Sequence, residues 1–183
     1  MLNPGGPPLA FGRPAGTVIQ YAYTVPDVDA AIAVYLDRFG AGPWFRRGPF
    51  SPPDARYRGE PCAMTITLAR TFAGDSMIEL IQQHDDSPSV FTEKIRQQGY
   101  GFHHWAIASR DVDRDVARFA GYGYPVAFED RVPSGARIVY VDATAELPGM
   151  IEIIEMNEIQ ERMYAEFRRA AATWDGTDPI REG

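Results

Sequence analysis

The 183-residue chain has little of what would place it in a membrane, in an oxidising compartment or on nucleic acid. Its one cysteine, Cys62, cannot form an intramolecular disulfide, which favours a reducing compartment. No apolar stretch approaches the roughly 20 residues of a membrane span, and the start lacks the basic and apolar regions of a signal peptide. Acidic residues outnumber basic ones, 25 to 18, which argues against nucleic acid or an anionic membrane as a partner. We therefore expect a cytoplasmic protein.

What the sequence does contain is an internal repeat. Two pairs of segments match: Gln20-Tyr-Ala-Tyr-Thr-Val-Pro-Asp27 with His104-Trp-Ala-Ile-Ala-Ser-Arg-Asp111, and Met77-Ile-Glu79-Leu-Ile with Met150-Ile-Glu152-Ile-Ile. Equivalent positions in the first strand and in the helix after it stay 84 residues apart. A fixed spacing that covers both a strand and a helix indicates a duplicated structural unit.

Each copy reads as β-α-β-β-β. An alternating strand comes first, an aspartate then caps a helix with an apolar stripe, and three strand-like segments follow. These later strands are predicted at Trp44–Arg47, Ala63–Leu68 and Ser76–Gln82, and again at Pro125–Glu129, Ala136–Val141 and Met150–Glu155. The fold class is therefore α+β, with two βαβββ modules that form a curved, mostly antiparallel sheet cup.

Composition sets the boundaries of the domain. Residues 1–16 are rich in proline and glycine, which predicts a flexible leader. Residues 17–156 form the domain, with modules at 17–88 and 101–156 joined by a linker helix. Residues 157–183 are predicted as an amphipathic C-terminal helix and a loose tail.

Four polar residues occupy repeat-equivalent places in otherwise apolar strands: Gln20, Glu79, His104 and Glu152. Alternation turns each glutamate away from its aliphatic neighbours, which places it inside the cup if those neighbours pack against the helices. A carboxylate buried there needs a cation, a partner or a proton. Together the four side chains offer nitrogen and oxygen ligands for one divalent metal ion: Zn, Co, Ni, Mn or Fe(II). The alternative is that one or both glutamates face solvent.

Two other features leave alternatives open. His103 falls on the opposite face from His104 by strand alternation, so we interpret it as a structural residue. A group of basic residues is either part of a solvated loop or a clamp for an anionic substrate group. This group comprises Arg46, Arg47, Arg56 and Arg58.

The βαβββ repeat, with polar residues on the first and last strand of each module, resembles the vicinal oxygen chelate superfamily of glyoxalases, bleomycin-resistance proteins and extradiol dioxygenases. The stretches Ile78-Glu79-Leu-Ile-Gln and Gly101-Phe-His103-His104-Trp-Ala-Ile are particularly similar to methylmalonyl-CoA epimerase. Carried over position by position, the resemblance implies that Gln20, Glu79, His104 and Glu152 are the metal ligands. Epimerases of this kind usually have histidine at the position of Gln20, and the present combination instead resembles the eukaryotic zinc form of glyoxalase I.

The resemblance implies a metal-dependent isomerase, epimerase or lyase. Such an enzyme abstracts a proton next to a metal-chelated carbonyl and forms an enolate or enediolate. Glu152 is the first candidate for the base, Glu79 the second and Glu60 the third. The expected substrate is a small molecule such as a CoA ester or an aromatic ketone.

The resemblance also favours a homodimer, because the cup needs two modules and related proteins pair modules within or between chains. Two other functions stay open. One is glyoxalase I proper, which rests on the ligand combination. The other is a metal-free protein that sequesters a small molecule in a cup lined by aromatic residues, namely Tyr21, Tyr23, Trp44, Phe45 and Trp105.

Overall fold

The two copies of the repeat fold as two similar modules in the computed structural model, which describes residues 8–183. The first module comprises β1 (Val18–Thr24), α1 (Val28–Phe39), β2 (Trp44–Phe50), β3 (Arg56–Tyr57), β4 (Glu60–Pro61), β5 (Ile66–Ala73) and β6 (Ser76–Gln83). The helix α2 (Val90–Gln98) leads to the second module, which comprises β7 (Gly101–Ser109), α3 (Val112–Ala120), β8 (Val126–Arg131), β9 (Arg137–Val141) and β10 (Met150–Glu155). The chain continues into α4 (Glu158–Ala172) and β11 (Ile180–Glu182).

All of these strands join one curved sheet in the order β11-β2-β5-β6-β1-β7-β10-β9-β8-β3-β4. Each module contributes four neighbouring strands, and the two groups meet where β1 pairs antiparallel with β7. The order within the second module mirrors that of the first, as expected for a duplicated unit. Most neighbours are antiparallel, and the parallel pairs are β1–β6, β7–β10 and β2–β11. The predicted α+β fold of two βαβββ modules is confirmed.

The module helices begin at the predicted caps. Asp27 accepts a hydrogen bond from the backbone N–H of Ala30 at 2.9 Å, and Asp111 accepts one from that of Arg114 at 3.0 Å. Gly40 has a φ of 58°, the left-handed conformation that ends α1. Within residues 8–183, none of the helices combines the length and apolar character needed to cross a membrane.

The hydrophobic core is divided between the two faces of the sheet. On the outer face, α1 packs over a cluster around Leu80, and α3 packs over an equivalent cluster around Ile153. On the inner face a larger cluster extends across both modules and includes residues of α4. The ring of Phe167 on α4 stacks on that of Phe45 with 3.8 Å between centroids. The C-terminal helix therefore covers part of the inner face.

The leader differs from its predicted flexibility over residues 8–16. Leu9 and Phe11 are buried in the inner-face cluster, and the ring of Phe11 meets that of Tyr164 edge-on at 5.7 Å. The two apolar side chains contribute hydrophobic free energy that composition alone does not reveal. Residues 1–7 lie outside the described residues.

Two segments in which the sequence predicted no strand contain strands near the edges of the sheet. Residues between the predicted strands Trp44–Arg47 and Ala63–Leu68 include β3, which pairs with β4 and also with β8 of the other module. In the predicted tail, β11 pairs in parallel with β2 and places Ile180 opposite Trp44. Both strands satisfy backbone hydrogen bonds along the edges of the two modules.

Candidate functional site

Strand alternation brings the four predicted ligands together on the inner face. Gln20 lies on β1, Glu79 on β6, His104 on β7 and Glu152 on β10, and these strands are neighbours at the centre of the sheet. All four side chains are buried, with exposed fractions of 1%, 2%, 0% and 6%. The aliphatic residues beside each glutamate pack on the outer face, as alternation requires.

Two alanines make room for these long side chains. Ala22 lies opposite Glu79 on one side and His104 on the other. Ala106, its repeat equivalent, lies between Gln20 and Glu152 in the same way. Both alanines are fully buried. Because their side chains are small, the four polar groups can converge over the centre of the sheet.

Three hydrogen-bond acceptors of the site lie close together. One potential ligand atom each from Glu79, His104 and Glu152 lies within 4.8 Å of the other two. His104 Nε2 is 3.1 Å from Glu152 Oε2 and 3.7 Å from Glu79 Oε2. A buried cluster of this kind is stable only if a proton, a polar hydrogen or a cation lies between its members.

The carboxamide of Gln20 points into this cluster. Its Nε2 lies 2.9 Å from Glu79 Oε2, 3.3 Å from Glu152 Oε2 and 3.4 Å from His104 Nε2. Its Oε1 is buried and has no hydrogen-bond partner within residues 8–183. The two ends of a carboxamide are assigned from the hydrogen-bond network. Turning the group over would place Oε1 beside the three acceptors, an arrangement that needs a cation or a proton between them.

His103 determines which nitrogen of His104 faces the cluster. His103 Nε2 lies 3.0 Å from the carbonyl oxygen of Val90, which can only accept, so Nε2 carries the proton. His103 Nδ1 is then an acceptor for His104 Nδ1, 2.9 Å away. Consequently His104 Nε2 presents a lone pair to the two glutamates. His103 is thus more than the structural residue expected from alternation, because it orients the neighbouring imidazole.

Burial controls the ionisation of the site. It lowers the pKa of His104 to about 4 and that of His103 to about 3, so both rings are neutral near pH 7. Burial raises the pKa of Glu152 to about 7, although Arg70 and Tyr140 oppose the rise. It also raises the pKa of Glu79, with Arg70 again opposing. The contacts between His104 and the glutamates are therefore not ion pairs.

Two neighbours of the glutamates were missed in the sequence. Arg70 lies opposite Glu79 on β5, and Tyr140 lies opposite Glu152 on β9, so they occupy matching places in the two modules. Arg70 Nε donates to Glu79 Oε1 at 2.6 Å. The Tyr140 ring lies edge-on to that of His104, with centroids 4.8 Å apart. The repeat could have identified both residues, since in each module the strand next to the glutamate places a side chain beside it on the inner face.

A cavity of about 450 Å³ opens from the four-residue cluster across the inner face. Gln20, Glu79 and Glu152 line it at the cluster, whereas His104 lies behind them. Residues of α4, among them Met163 and Tyr164, form another wall. Its aromatic lining differs from the one suggested by the sequence and comprises Phe50, Phe91, Phe128, Tyr140 and Tyr164. None of the five aromatic residues suggested by the sequence lines the cavity. Trp44 packs under α1 on the outer face, and Phe45 lies on the inner face but stacks on Phe167.

Most of the predicted basic clamp lies outside this cavity. Arg46 pairs with Asp29, Arg58 pairs with Glu93, and Arg56 bonds a nearby backbone carbonyl. Only Arg47 lines the cavity. Glu60, the third candidate for the base, is exposed on the edge strand β4 and takes no part in the lining.

Comparison with known proteins assigns the family. A model described as Glyoxalase/Bleomycin resistance protein/Dioxygenase superfamily matches residues 19–140. The chain belongs to this superfamily. The match contains Gln20, Glu79 and His104, and it ends before Glu152 and α4. No curated protein matches the chain.

Solved structures share the superfamily fold with this chain at low sequence identity. A hypothetical protein from Bacillus halodurans is 16% identical with a TM-score of 0.61, and the alignment covers 78% of this chain and 95% of that one. Methylmalonyl-CoA epimerase from Mycobacterium tuberculosis is 19% identical with a TM-score of 0.59, covering 87% and 95%. A variant of the Streptomyces coelicolor epimerase, in complex with 2-nitronate-propionyl-CoA, is 18% identical with a TM-score of 0.55, covering 79% and 96%. At these identities the three structures show that the fold is shared, and they do not show a shared activity.

Proposed function

We propose that this protein is a metal-dependent enzyme that removes a proton from a carbon next to a carbonyl or carboxyl group of a small molecule. Isomerisation, epimerisation and lyase chemistry can all follow from that step. The supporting observation is the convergence of two buried carboxylates and a neutral imidazole at one end of an apolar cavity. Methylmalonyl-CoA epimerases among the structural neighbours are consistent with this reaction class.

The donor set fits a divalent metal ion. Glu79, His104 and Glu152 each offer one ligand atom within 4.8 Å of the other two, and Gln20 Oε1 would be the fourth ligand after its carboxamide turns over. Two carboxylates, an imidazole and an amide oxygen suit Zn, Co, Ni, Mn or Fe(II). When bound, such an ion supplies Lewis-acid stabilisation of the negative charge that develops on the substrate oxygen.

The surroundings of the two glutamates divide their roles. Arg70 binds Glu79 Oε1 at 2.6 Å, which fixes that carboxylate and favours its charged form. Within residues 8–183 no arginine donates a hydrogen bond to Glu152, and its pKa of about 7 suits a group that accepts and returns a proton near neutrality. Glu152 also reaches the cavity that would hold the substrate. We therefore assign Glu152 as the base and Glu79 as a fixed ligand.

Solvent exchange tests this proposal directly. Protein loaded with each candidate metal should replace a substrate C–H by C–D in D₂O. The proton that Glu152 takes from the substrate can exchange with solvent deuterium before the base returns it to carbon. The screen would include acyl-CoA esters, α-hydroxyketones and aromatic carboxylic acids, and NMR would measure the loss of the substrate C–H signal. Chelator-treated protein is the control. Absence of exchange across the panel would contradict proton abstraction, and tight binding by metal-free protein would favour sequestration.

A second test concerns His103. His103→Phe keeps a buried ring but removes the acceptor for His104 Nδ1–H, so metal affinity should fall about 10- to 100-fold, as for other groups that orient a ligand. His103→Asn offers a carbonyl acceptor and should recover part of the loss. Competition with a chromophoric chelator measures both, and circular dichroism checks the fold. Equal affinity in folded His103→Phe protein would show that His103 does not orient the ligand.

All four proposed metal ligands come from one chain. The first module supplies Gln20 and Glu79, and the second supplies His104 and Glu152. Dimerisation is therefore not needed to bring the two halves together. The homodimer and the cytoplasmic location stay predictions.

A further inference from the structure

We propose that the substrate is a compact monocarboxylic acid with an aromatic or branched apolar body, whose carboxylate binds between Arg70 and Arg47. This inference rests on the proposed function and names the substrate class of that site. Three features carry it: unused donors on Arg70, an unpaired Arg47 on the adjacent strand, and an apolar cavity partly closed by α4.

Arg70 has donors to spare. Its Nε bonds Glu79, whereas neither terminal nitrogen donates to a protein acceptor within residues 8–183. The guanidinium lines the cavity, and 19% of the side chain is exposed. A planar guanidinium with free terminal N–H groups matches the two oxygens of a carboxylate. Arg70 therefore combines a fixed position with unused capacity to bind an anion.

Arg47 faces the same cavity from β2, next to β5. Its guanidinium lies 4.2 Å from the centre of the Phe50 ring and forms no ion pair within the described part of the chain. Burial lowers the pKa of Arg47 and the like charge of Arg70 lowers it further, whereas the half-buried Asp130 opposes the fall without forming an ion pair. Two cationic groups that repel one another in a partly buried space are stabilised by an anion between them.

The charges around the cavity leave a place for one anion. Besides the two arginines, the carboxylate side chains that line it are Glu79, Glu152 and the half-buried Asp130. With a divalent ion at the cluster and these three side chains ionised, the ion and the five side chains together carry one net positive charge. A monoanion would balance it, and a neutral ketone would not.

The shape of the cavity limits the rest of the substrate. Between the polar cluster and the mouth, its lining is mainly apolar and includes Met64, Leu68, Phe128 and Ile138. Met163 on α4 closes it from above. A space of about 450 Å³ lies within the ordinary range for enclosing a small ligand. It suits an aryl or branched alkyl body, whereas the nucleotide of a CoA ester would have to remain outside.

Calorimetry on metal-loaded protein tests the inference with three acids and their methyl esters: mandelate, 2-phenylpropionate and 4-methyl-2-hydroxypentanoate. At least one acid should bind ten or more times more tightly than its ester. Arg70→Lys keeps a positive charge beside Glu79 but loses the planar fork, and should weaken acid binding about 10- to 100-fold. Arg47→Gln removes the second cation and should weaken it about tenfold. Arg46→Gln is the matched control, because Arg46 pairs with Asp29 at 3.0 Å outside the cavity, and it should change nothing.

The outcomes separate this inference from the proposed function. It is overturned if no acid is preferred over its ester, if folded Arg70→Lys and Arg47→Gln bind acids as well as the unsubstituted protein, or if benzoyl-CoA binds more tightly than every acid. Deuterium exchange with CoA esters alone would then leave the proposed function standing. Conversely, arginine-dependent acid binding by a protein that holds no metal and exchanges no deuterium would support the anion site and contradict the proposed enzyme.

Discussion

Glu152→Gln should lower turnover by about 10²- to 10⁴-fold, the usual contribution of a positioned general base, while much of the bound metal is retained. Glutamine keeps the shape of glutamate and one oxygen donor, but it cannot accept a proton near neutral pH. The same substitution should suppress deuterium exchange to a similar extent. Turnover with a substrate from the exchange screen and metal analysis of the purified variant measure the two effects separately.

Glu60→Gln is the matched control for this experiment. Glu60 is exposed on β4 and does not line the cavity, so its substitution should leave turnover unchanged. Full activity in Glu152→Gln would move the role of base to Glu79. That result would also mean that the bond from Arg70 does not prevent Glu79 from accepting a proton.

The convergence of the site residues could be predicted because strand alternation and the internal repeat can both be read from the sequence. Alternation sends the aliphatic neighbours of Glu79 and Glu152 outward and the two glutamates inward, and the repeat makes Gln20 and His104 equivalent. The structure places them as the repeat implies, with Ala22 and Ala106 between them. Their role as metal ligands stays a prediction.

Arg70 was missed for a local reason. The sequence predicts a strand at Ala63–Leu68, whereas β5 spans Ile66–Ala73, so Arg70 fell beyond the predicted strand. Strand ends are the least reliable part of such a prediction. The prediction of a basic clamp was wrong for most of its residues. Arg46 and Arg47, for example, are adjacent in sequence but lie on opposite faces of β2, and only Arg47 lines the cavity.

The closing of the cavity depends on tertiary contacts that no local pattern shows. The apolar stripe on α4 predicted an amphipathic helix, but it did not predict which surface the helix covers. The structure shows this surface through the stacking of Phe167 on Phe45. The burial of Leu9 and Phe11 beside the same helix has the same origin. A high content of proline and glycine predicts the flexibility of an isolated segment. Here the hydrophobic free energy of burying two apolar side chains exceeds the free-energy cost of the entropy lost when the segment is ordered.

His104→Ala should lower metal affinity by at least 10- to 100-fold, since the loss of a group that merely orients a ligand already costs that much. The imidazole supplies the one nitrogen ligand in the proposed set of four, and its Nε2 lies within 3.7 Å of both glutamates. Metal content after dialysis and competition with a chelator give the measurement.

His84→Ala provides the control for removal of a histidine. His84 is exposed and bonds Thr67 Oγ1 at 2.7 Å, away from the cavity, so its loss should leave the metal in place. His104→Gln separates loss of the ligand from loss of packing, because it fills more of the space and keeps an oxygen donor. If folded His104→Ala protein held metal at the level of the unsubstituted protein, the ion would have to bind elsewhere. The repeat-derived site would then be wrong, and the buried cluster would be held by the Gln20 amide and a proton on Glu152.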